Sequence, residues 1–238
     1  MFGVLALLGG LLLLAAVTQG ETLPADRRRT GGLAEVAGVL RDVVRDRTFV
    51  LPALALGLGM CGMFTYIAMG SFVLQSPDAV DGALDAQTYS LVFAANALGL
   101  VVAGRVSAWL VGRTGPRPLL ATGVAIQVAA AVALLVGALA TRSVWALLPP
   151  LFALVTATGL VLPNATALAL AGQGDRAGSA SAVLGVLQFA FAAAVPPLVS
   201  LAGVTAVVMA LTITGTATAA AVVLAVLWAL RAPQPAPA

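Results

Sequence analysis

The sequence predicts an all-α integral membrane protein, because its composition and the length of its apolar stretches suit a lipid environment. Of its 238 residues, 61% are hydrophobic and only 9% are charged, and the mean hydropathy is +1.07. An average soluble domain carries about a quarter charged residues. A helix needs about 20 mostly apolar residues to cross a bilayer, and the sequence contains several such stretches without a charge. A soluble fold is therefore excluded.

Charged residues and turn residues divide the chain into seven predicted spans, of which the first is partial. The spans are residues 1–18, 49–75, 87–112, 118–140, 144–171, 177–200 and 204–230. The predicted organisation is the end of a transmembrane helix at 1–18, a cytoplasmic linker at 19–48, a six-helix bundle at 49–231 and a cytoplasmic Pro- and Ala-rich tail at 232–238.

The first span begins directly at Met1. A secretory signal peptide is the alternative, but residues 1–19 lack a basic segment and a clear cleavage site. We expect instead that the chain starts within a larger protein and that this span is a shortened helix of the absent part.

The linker contains an amphipathic pattern, with Thr30 as a candidate helix cap. Its apolar positions recur at helical spacing and are Leu33, Val36, Ala37, Leu40, Val43 and Val44. The predicted helix lies along the membrane surface or against the bundle, and a solvated linker helix is the alternative.

The distribution of Arg predicts the orientation of the spans, because cytoplasmic loops are enriched in basic residues. Alternating spans put eleven Arg on one side, and only Arg142 on the other side together with Asp78, Asp81 and Asp85. We therefore expect the N-terminus outside and the C-terminus in the cytoplasm. The use of Arg without Lys, with abundant Ala, Gly, Val and Leu, is typical of GC-rich bacterial genomes and indicates a bacterial inner membrane.

The residue types that carry most enzyme and metal chemistry are scarce in the sequence. It contains no His, the commonest metal ligand and general base, and Cys61 is its single cysteine. Aromatic residues make up only 5%, which does not suit a nucleic-acid surface with stacking aromatics. We expect neither an enzyme nor a nucleic-acid-binding protein, and no cofactor or metal.

Polar side chains within the spans are informative, because each needs a partner or a wet cavity. The second, third, fifth and sixth spans carry Thr65, Tyr66, Met69, Phe72, Gln75, Tyr89, Phe93, Asn96, Thr156, Thr158, Gly159, Pro163, Asn164, Ser181, Gly185 and Gln188. The fourth and seventh spans carry little polarity and are predicted to face lipid. From the second span to the seventh, two spans with polar residues are followed by one with few polar residues, and this order occurs twice. The pattern is a three-plus-three repeat.

Packing is the alternative for part of this set. Ala177, Ser181 and Gly185 have the spacing that lets helices approach closely. Asn164 has the alternative role of bonding the carbonyl that Pro163 leaves free. Tyr66 and Gln188 are larger and harder to bury unpaired, which favours a cavity.

A three-plus-three repeat resembles one half of a major facilitator superfamily transporter. The sequence from Arg113 to Arg117, RTGPR, resembles the degenerate second copy of the loop motif of that superfamily, through Arg113, Gly115 and Arg117. Gly112 stands where the stronger first copy has Asp, so the resemblance does not extend to a gating role for this loop.

Within that superfamily, the chain resembles the C-terminal half of the bicyclomycin-resistance (Bcr/CflA) type of drug exporter. The matching segments are ETLP at 21–24, FTYIA at 64–68, SFVLQ at 71–75, FAAN at 93–96, LPNA at 162–165, AGSASA at 177–182 and GVLQ at 185–188. The resemblance implies a proton-driven antiporter of twelve helices that exports small hydrophobic drugs. This chain would supply the end of the sixth helix and the seventh to twelfth.

The residues predicted to line a substrate cavity are Tyr66, Met69, Phe72, Gln75, Asn96, Asn164 and Gln188. The expected partners are the bilayer, a small hydrophobic drug-like substrate, the proton and an N-terminal transporter half. No acidic residue or His lies deep in a span, so proton coupling would belong to the other half and this chain would be inactive alone. The alternative functions are a structural or assembly subunit of another membrane complex and, with less support, a receptor.

Overall fold

The computed structural model describes residues 2–18 and 32–229, and these residues are helical almost throughout. The helices are α1 (Phe2–Thr18), α2 (Leu33–Arg45), α3 (Arg47–Leu74), α4 (Ala86–Thr114), α5 (Pro116–Ala140), α6 (Leu148–Leu170), α7 (Ala177–Ser200) and α8 (Ala206–Ala229). Single 3₁₀ turns precede α6 at Val144–Ala146 and α7 at Gly174–Arg176. In the described ranges there is no β-strand, only an isolated bridge between Asp81 and Ser143.

Six helices, α3 to α8, are long and apolar enough to cross a membrane. The chain divides into two compact units, residues 1–38 and 39–238. The first unit contains α1, an apolar helix of 17 residues. The second contains the six long helices.

The helix ends lie where short polar side chains and glycine appear in the sequence. Asp46 caps α3 by accepting hydrogen bonds from Thr48, 2.9 Å from the backbone nitrogen and 2.7 Å from the hydroxyl. Asp85 caps α4 in the same way. Gly115 alone joins α4 to α5, with φ of 75°, a value that a residue with a β-carbon rarely adopts.

Within the second unit, α3 and α6 are central and pack against each other. α4 packs on α6, and α7 packs on α3. α5 packs on α6, α8 packs on α3, and α5 and α8 also contact each other. Exchanging α3, α4 and α5 for α6, α7 and α8 leaves this set of contacts unchanged, which confirms the predicted three-plus-three repeat.

Glycine permits the closest helix contacts. A β-carbon at Gly159 of α6 would clash with the carbonyl oxygen of Leu100 and lie 2.9 Å from Cβ of Ala103, both on α4. A β-carbon at Gly123 of α5 would lie 2.8 Å from a side-chain carbon of Val161 on α6. The predicted small residue Gly185 on α7 has no atom of the described chain within 4 Å of such a carbon, so it does not serve this packing.

The loops meet at the two ends of the bundle. At one end, here called the Asp81 end, Arg142 lies 3.6 Å from the Asp81 carboxylate and donates a 2.7 Å hydrogen bond to the Asp78 carbonyl. At the opposite Asp46 end, the Gln173 amide donates to the Asp46 carboxylate at 2.7 Å. The loops that the sequence sorts to one side therefore do meet at one end.

The amphipathic helix α2 reaches the bundle at the Asp46 end. Val43 is fully buried in an apolar cluster with Phe49 of α3 and Leu120 of α5. Val36 and Val44 remain about half exposed. Residues 39–45 therefore pack against the bundle, whereas the predicted cap, Thr30, lies outside the described residues.

The fourth and seventh spans are expected to carry few polar residues and to face lipid. For the fourth span, which is α5, part of this expectation is wrong. Gln127 of α5 is buried, and its amide donates a 3.1 Å hydrogen bond to the hydroxyl of Thr158 on α6. α5 and α8 also bury a larger share of their residues than α4 and α7 do. Burial of one face by the central helices, rather than the number of polar residues, decides which helices are enclosed.

Candidate functional site

A buried hydrogen bond joins α3 to α4. The Asn96 side-chain nitrogen donates to the Tyr66 hydroxyl at 2.8 Å, and both residues are almost completely buried. Each partner lies in the apolar part of a long helix, where an unpaired polar group is unfavourable. The bond therefore fixes the relative position of the two side chains.

Aromatic packing orients the Tyr66 ring. Phe93 of α4 stacks on it with ring centroids 6.2 Å apart, and Tyr89 packs against Phe93 in turn. Gly70 lies one turn after Tyr66 on α3, and a β-carbon there would lie 2.9 Å from two carbons of the Tyr66 ring. The missing side chain of Gly70 thus leaves the space that the ring occupies.

The Tyr66 and Asn96 pair lies in the wall of a cavity of about 200 Å³ between α3, α4 and α6. The lining residues are Met63, Tyr66, Ile67, Phe93, Asn96, Ala97, Leu100, Val101 and Val155. Ile67 and Val101 are exposed, so the cavity opens on the surface of the bundle. Apolar walls with a few fixed polar groups are typical of sites for small hydrophobic molecules.

A second, more open cavity of about 410 Å³ lies between α3 and α7, near the Asp81 end. Its lining residues are Ala68, Met69, Phe72, Pro196, Pro197, Ser200 and Val204. Phe72 is 68% exposed although it is large and apolar. Helix α3 therefore separates two cavities.

The structure distributes the predicted cavity residues over several places. Tyr66 and Asn96 line the first cavity, and Met69 and Phe72 line the second. Gln75 is the C-cap of α3, and its backbone N–H donates to the Ser71 carbonyl.

Gln188 lies half-buried on α7 and forms no hydrogen bond within the described ranges. It lies outside both cavities.

Asn164 is placed differently from the prediction. Its amide nitrogen donates to the Ser107 hydroxyl of α4 and to the Leu160 carbonyl, each at 2.7 Å, and the side chain is buried. Pro163 leaves the Gly159 carbonyl without its backbone partner, but the Asn164 side chain bonds the neighbouring Leu160 carbonyl and not that one. With both donors satisfied, Asn164 joins α6 to α4 and lines neither cavity.

Several lining residues carry no sequence signal of their own. Met63, Ala97, Leu100, Val101 and Val155 are ordinary apolar residues of membrane helices. Ala97 and Leu100 follow Phe93 and Asn96 by four residues on α4, so helical spacing from the predicted stripe would have found them.

The predicted loop motif lies at the Asp46 end. The Arg113 guanidinium lies over the Trp109 ring, 4.7 Å from its centre. Arg117 is exposed in the first turn of α5. Gly115 is explained by its positive φ in the one-residue joint between the two helices.

Two carboxylates outside the spans have perturbed pKa values. Hydrogen bonds from Thr48 are the main cause that lowers the pKa of Asp46, with a smaller contribution from Gln173. Hydrogen bonds from Thr88 lower the pKa of Asp85. Both carboxylates cap helices and neither lies near the cavities.

Comparisons with known proteins agree with this architecture. Residues 1–197 match the Major Facilitator Superfamily. The uncharacterized MFS-type transporter YdgK of Bacillus subtilis (strain 168) is 32% identical over 213 residues, which are 87% of this chain and 51% of that protein. The chain thus spans about half the length of the curated relative it matches. No solved structure matches it significantly. The chain therefore belongs to the major facilitator superfamily, a family of membrane transporters.

Proposed function

We propose that the chain forms one helical bundle of a proton-coupled exporter of small hydrophobic compounds, of the Bcr/CflA type that its sequence resembles. The observation that carries this proposal is the bonded Tyr66 and Asn96 pair in the wall of an otherwise apolar cavity. An apolar compound packs on Phe93 and Leu100, and the pair offers polar groups that orient it.

The size of the cavity supports a shared site. Sites for drug-sized ligands have volumes of about 300–1,000 Å³, whereas this cavity holds about 200 Å³. In the superfamily, substrates bind between two bundles related by an axis along the membrane normal. A second bundle facing α3 and α4 would close the open side and enlarge the site.

The requirements of proton coupling also favour a second bundle. Helices α3 to α8 contain no Asp, Glu or His. Proton relays in transporters use such groups within the membrane. The coupling group would therefore lie on the other bundle, and this chain alone would not move substrate on a pH gradient.

The test is an efflux assay in a drug-sensitive bacterium that expresses this chain together with an N-terminal transporter half. We expect efflux of ethidium that stops when a protonophore collapses the gradient. Tyr66→Phe and Asn96→Leu should change the efflux of individual compounds by several-fold at equal membrane abundance.

The matched control is Leu211→Ala, because Leu211 is exposed on α8, away from both cavities. It should leave efflux unchanged. Efflux no faster than in cells without the gene, for a panel of hydrophobic compounds, contradicts the proposal. Loss of both cavity variants from the membrane assigns Tyr66 and Asn96 to packing and favours a structural subunit.

A further inference from the structure

Arg105, Trp109 and Arg113 form an exposed stripe on α4. They follow each other at four-residue spacing and so lie one above the other along the helix. The buried residues of α4 are Asn96, Gly99, Ala103 and Ser107. At 3.6 residues per turn, Arg105 lies on the side opposite these residues and so points away from α6.

The depth of Arg105 makes its charge unusual. α4 has 29 residues and is therefore about 43 Å long, whereas the hydrocarbon core is about 30 Å thick. With the helix centred in the bilayer, Trp109 lies near the hydrocarbon boundary and Arg105 about 6 Å deeper, one turn further in. Trp109 thus sits at the depth that tryptophan prefers.

The surroundings of Arg105 on this side of α4 are apolar. Val102 and Val106 are exposed beside it. The ion pairs within the described residues are those of Arg142 with Asp81 and of Arg176 with Asp42, and neither involves the stripe. A guanidinium at this depth needs a partner from outside the bundle, because its burial in hydrocarbon is costly.

The chemistry of the stripe suits a phosphate. Guanidinium groups bind phosphate with two parallel hydrogen bonds. The Cα–Cβ bond of a helical residue tilts toward the helix N-terminus, which for Arg105 is toward the bilayer centre. A headgroup that meets Arg113 at the boundary can therefore be drawn inward to Arg105 while its acyl chain lies along the Trp109 ring.

We propose that Arg105, Trp109 and Arg113 bind the phosphate of an anionic phospholipid. Charge favours an anionic lipid over a zwitterionic one, because α4 contains no acidic residue to balance its two arginines. Phosphatidylglycerol offers its phosphate without the cationic choline group, which the stripe would repel. The stripe lies on the outer side of α4, and lipid binding there does not depend on transport through the cavity.

The test uses the full chain with Trp145→Phe and Trp228→Phe, which leaves Trp109 as the single tryptophan. The chain is placed in vesicles of equal parts phosphatidylglycerol and phosphatidylcholine, with brominated acyl chains on one lipid or the other. Bromine quenches tryptophan only at short range. We expect brominated phosphatidylglycerol to quench Trp109 about fivefold more than brominated phosphatidylcholine, the factor that one basic residue near an anionic surface contributes.

Substitutions show which arginines cause the preferential quenching by phosphatidylglycerol. Arg105→Gln and Arg113→Gln should each lower the quenching ratio, the double variant should bring it close to one, and Arg105→Lys should keep most of it. Arg142→Gln, at the opposite end of the bundle, removes the same charge and should leave the ratio unchanged. Circular dichroism confirms that each variant keeps its helices.

Three results would overturn the proposal. The first is a ratio near one for the chain with all its arginines. The second is an unchanged ratio in Arg105→Gln. The third is the absence of quenching of Trp109 by either brominated lipid. In that case another protein surface, from a second bundle or a second copy of the chain, covers this side of α4.

Discussion

The hydrogen bond between Asn96 and Tyr66 shows how single side chains define the candidate site. The bond is 2.8 Å long and lies among apolar groups of α3 and α4. Large polar residues within spans are rare, and this is why the sequence alone could identify both. The same reasoning misplaced Asn164, because a side chain that bonds Ser107 and one that lines a cavity have the same sequence pattern.

Tyr66→Phe tests that bond at the residue scale. The substitution keeps the ring and removes the hydroxyl that accepts from Asn96. We expect the free energy of unfolding to fall by about 0.6 kcal/mol, the mean for hydrogen bonds between membrane helices. The measurement is reversible unfolding in mixed micelles, followed by circular dichroism.

Tyr89→Phe is the matched control, because the Tyr89 hydroxyl forms no hydrogen bond within the described residues. Its unfolding should be nearly unchanged. Equal losses in the two variants would show that the Tyr66 hydroxyl has no special role.

At the scale of helices, the sequence predicts the first and last residues of each helix well. It predicts less well which side of each helix is buried. The predicted 87–112 and 118–140 correspond to Ala86–Thr114 and Pro116–Ala140, because Asp85 and Gly115 mark the ends. Each of the long helices carries apolar residues on all of its sides, so hydrophobic periodicity does not distinguish a lipid-facing surface from a packed one. This is why the burial of Gln127 could not be predicted.

Gly159→Ala tests the close contact of α4 with α6. The added methyl group would meet the Leu100 carbonyl, which is backbone and cannot turn aside. We expect a loss of about 1–3 kcal/mol, as for overpacked cores, measured by the same unfolding assay. Gly215→Ala on α8 is the control, because no atom lies within 4 Å of its added carbon. Tolerance of alanine at both positions would refute this packing.

Asp46→Ala tests the cap of α3. An N-cap contributes about 1 kcal/mol, and Thr48 lowers the pKa of Asp46 below its ordinary 3.8. A lowered pKa means that the charged form stabilises the fold above the unfolded-state pKa. The contribution is then lost as the pH falls through the folded-state pKa.

We therefore expect the free energy of unfolding at pH 7 to be larger for the parent chain than for Asp46→Ala. This difference should become smaller below about pH 4. Asp78→Ala should show no such difference, since the Arg142 bond uses the backbone carbonyl of Asp78. If the difference in unfolding free energy between the parent chain and Asp46→Ala did not change with pH, the charge of the Asp46 carboxylate would not be its cause.

For the whole molecule, the sequence predicts the repeat and the family, because both depend on features spread over the chain. The position of the cavities was not predictable in the same way. They lie between helices whose spacing depends on close contacts, such as that of Gly159 on α6 with α4, which the sequence does not reveal. Only two of the seven predicted residues, Tyr66 and Asn96, consequently share the first cavity.

The orientation in the membrane is predicted from the Arg distribution and can be measured directly. In a Cys61→Ala background, Asp81→Cys should react with an impermeant thiol reagent added outside cells. Arg176→Cys should react only after the cells are opened, since the basic loops belong on the cytoplasmic side. The reverse labelling pattern would overturn the orientation.

The central claim is that the cavity between α3, α4 and α6 binds small hydrophobic compounds. Photolabelling of the purified chain with a hydrophobic diazirine probe, followed by mass spectrometry of its peptides, tests it most directly. We predict labels on Met63, Phe93 and Leu100 that an excess of unlabelled compound removes, above an uncompeted background on the outer faces of α5 and α8. Labelling confined to those outer faces, with no competition at the cavity, would contradict the claim.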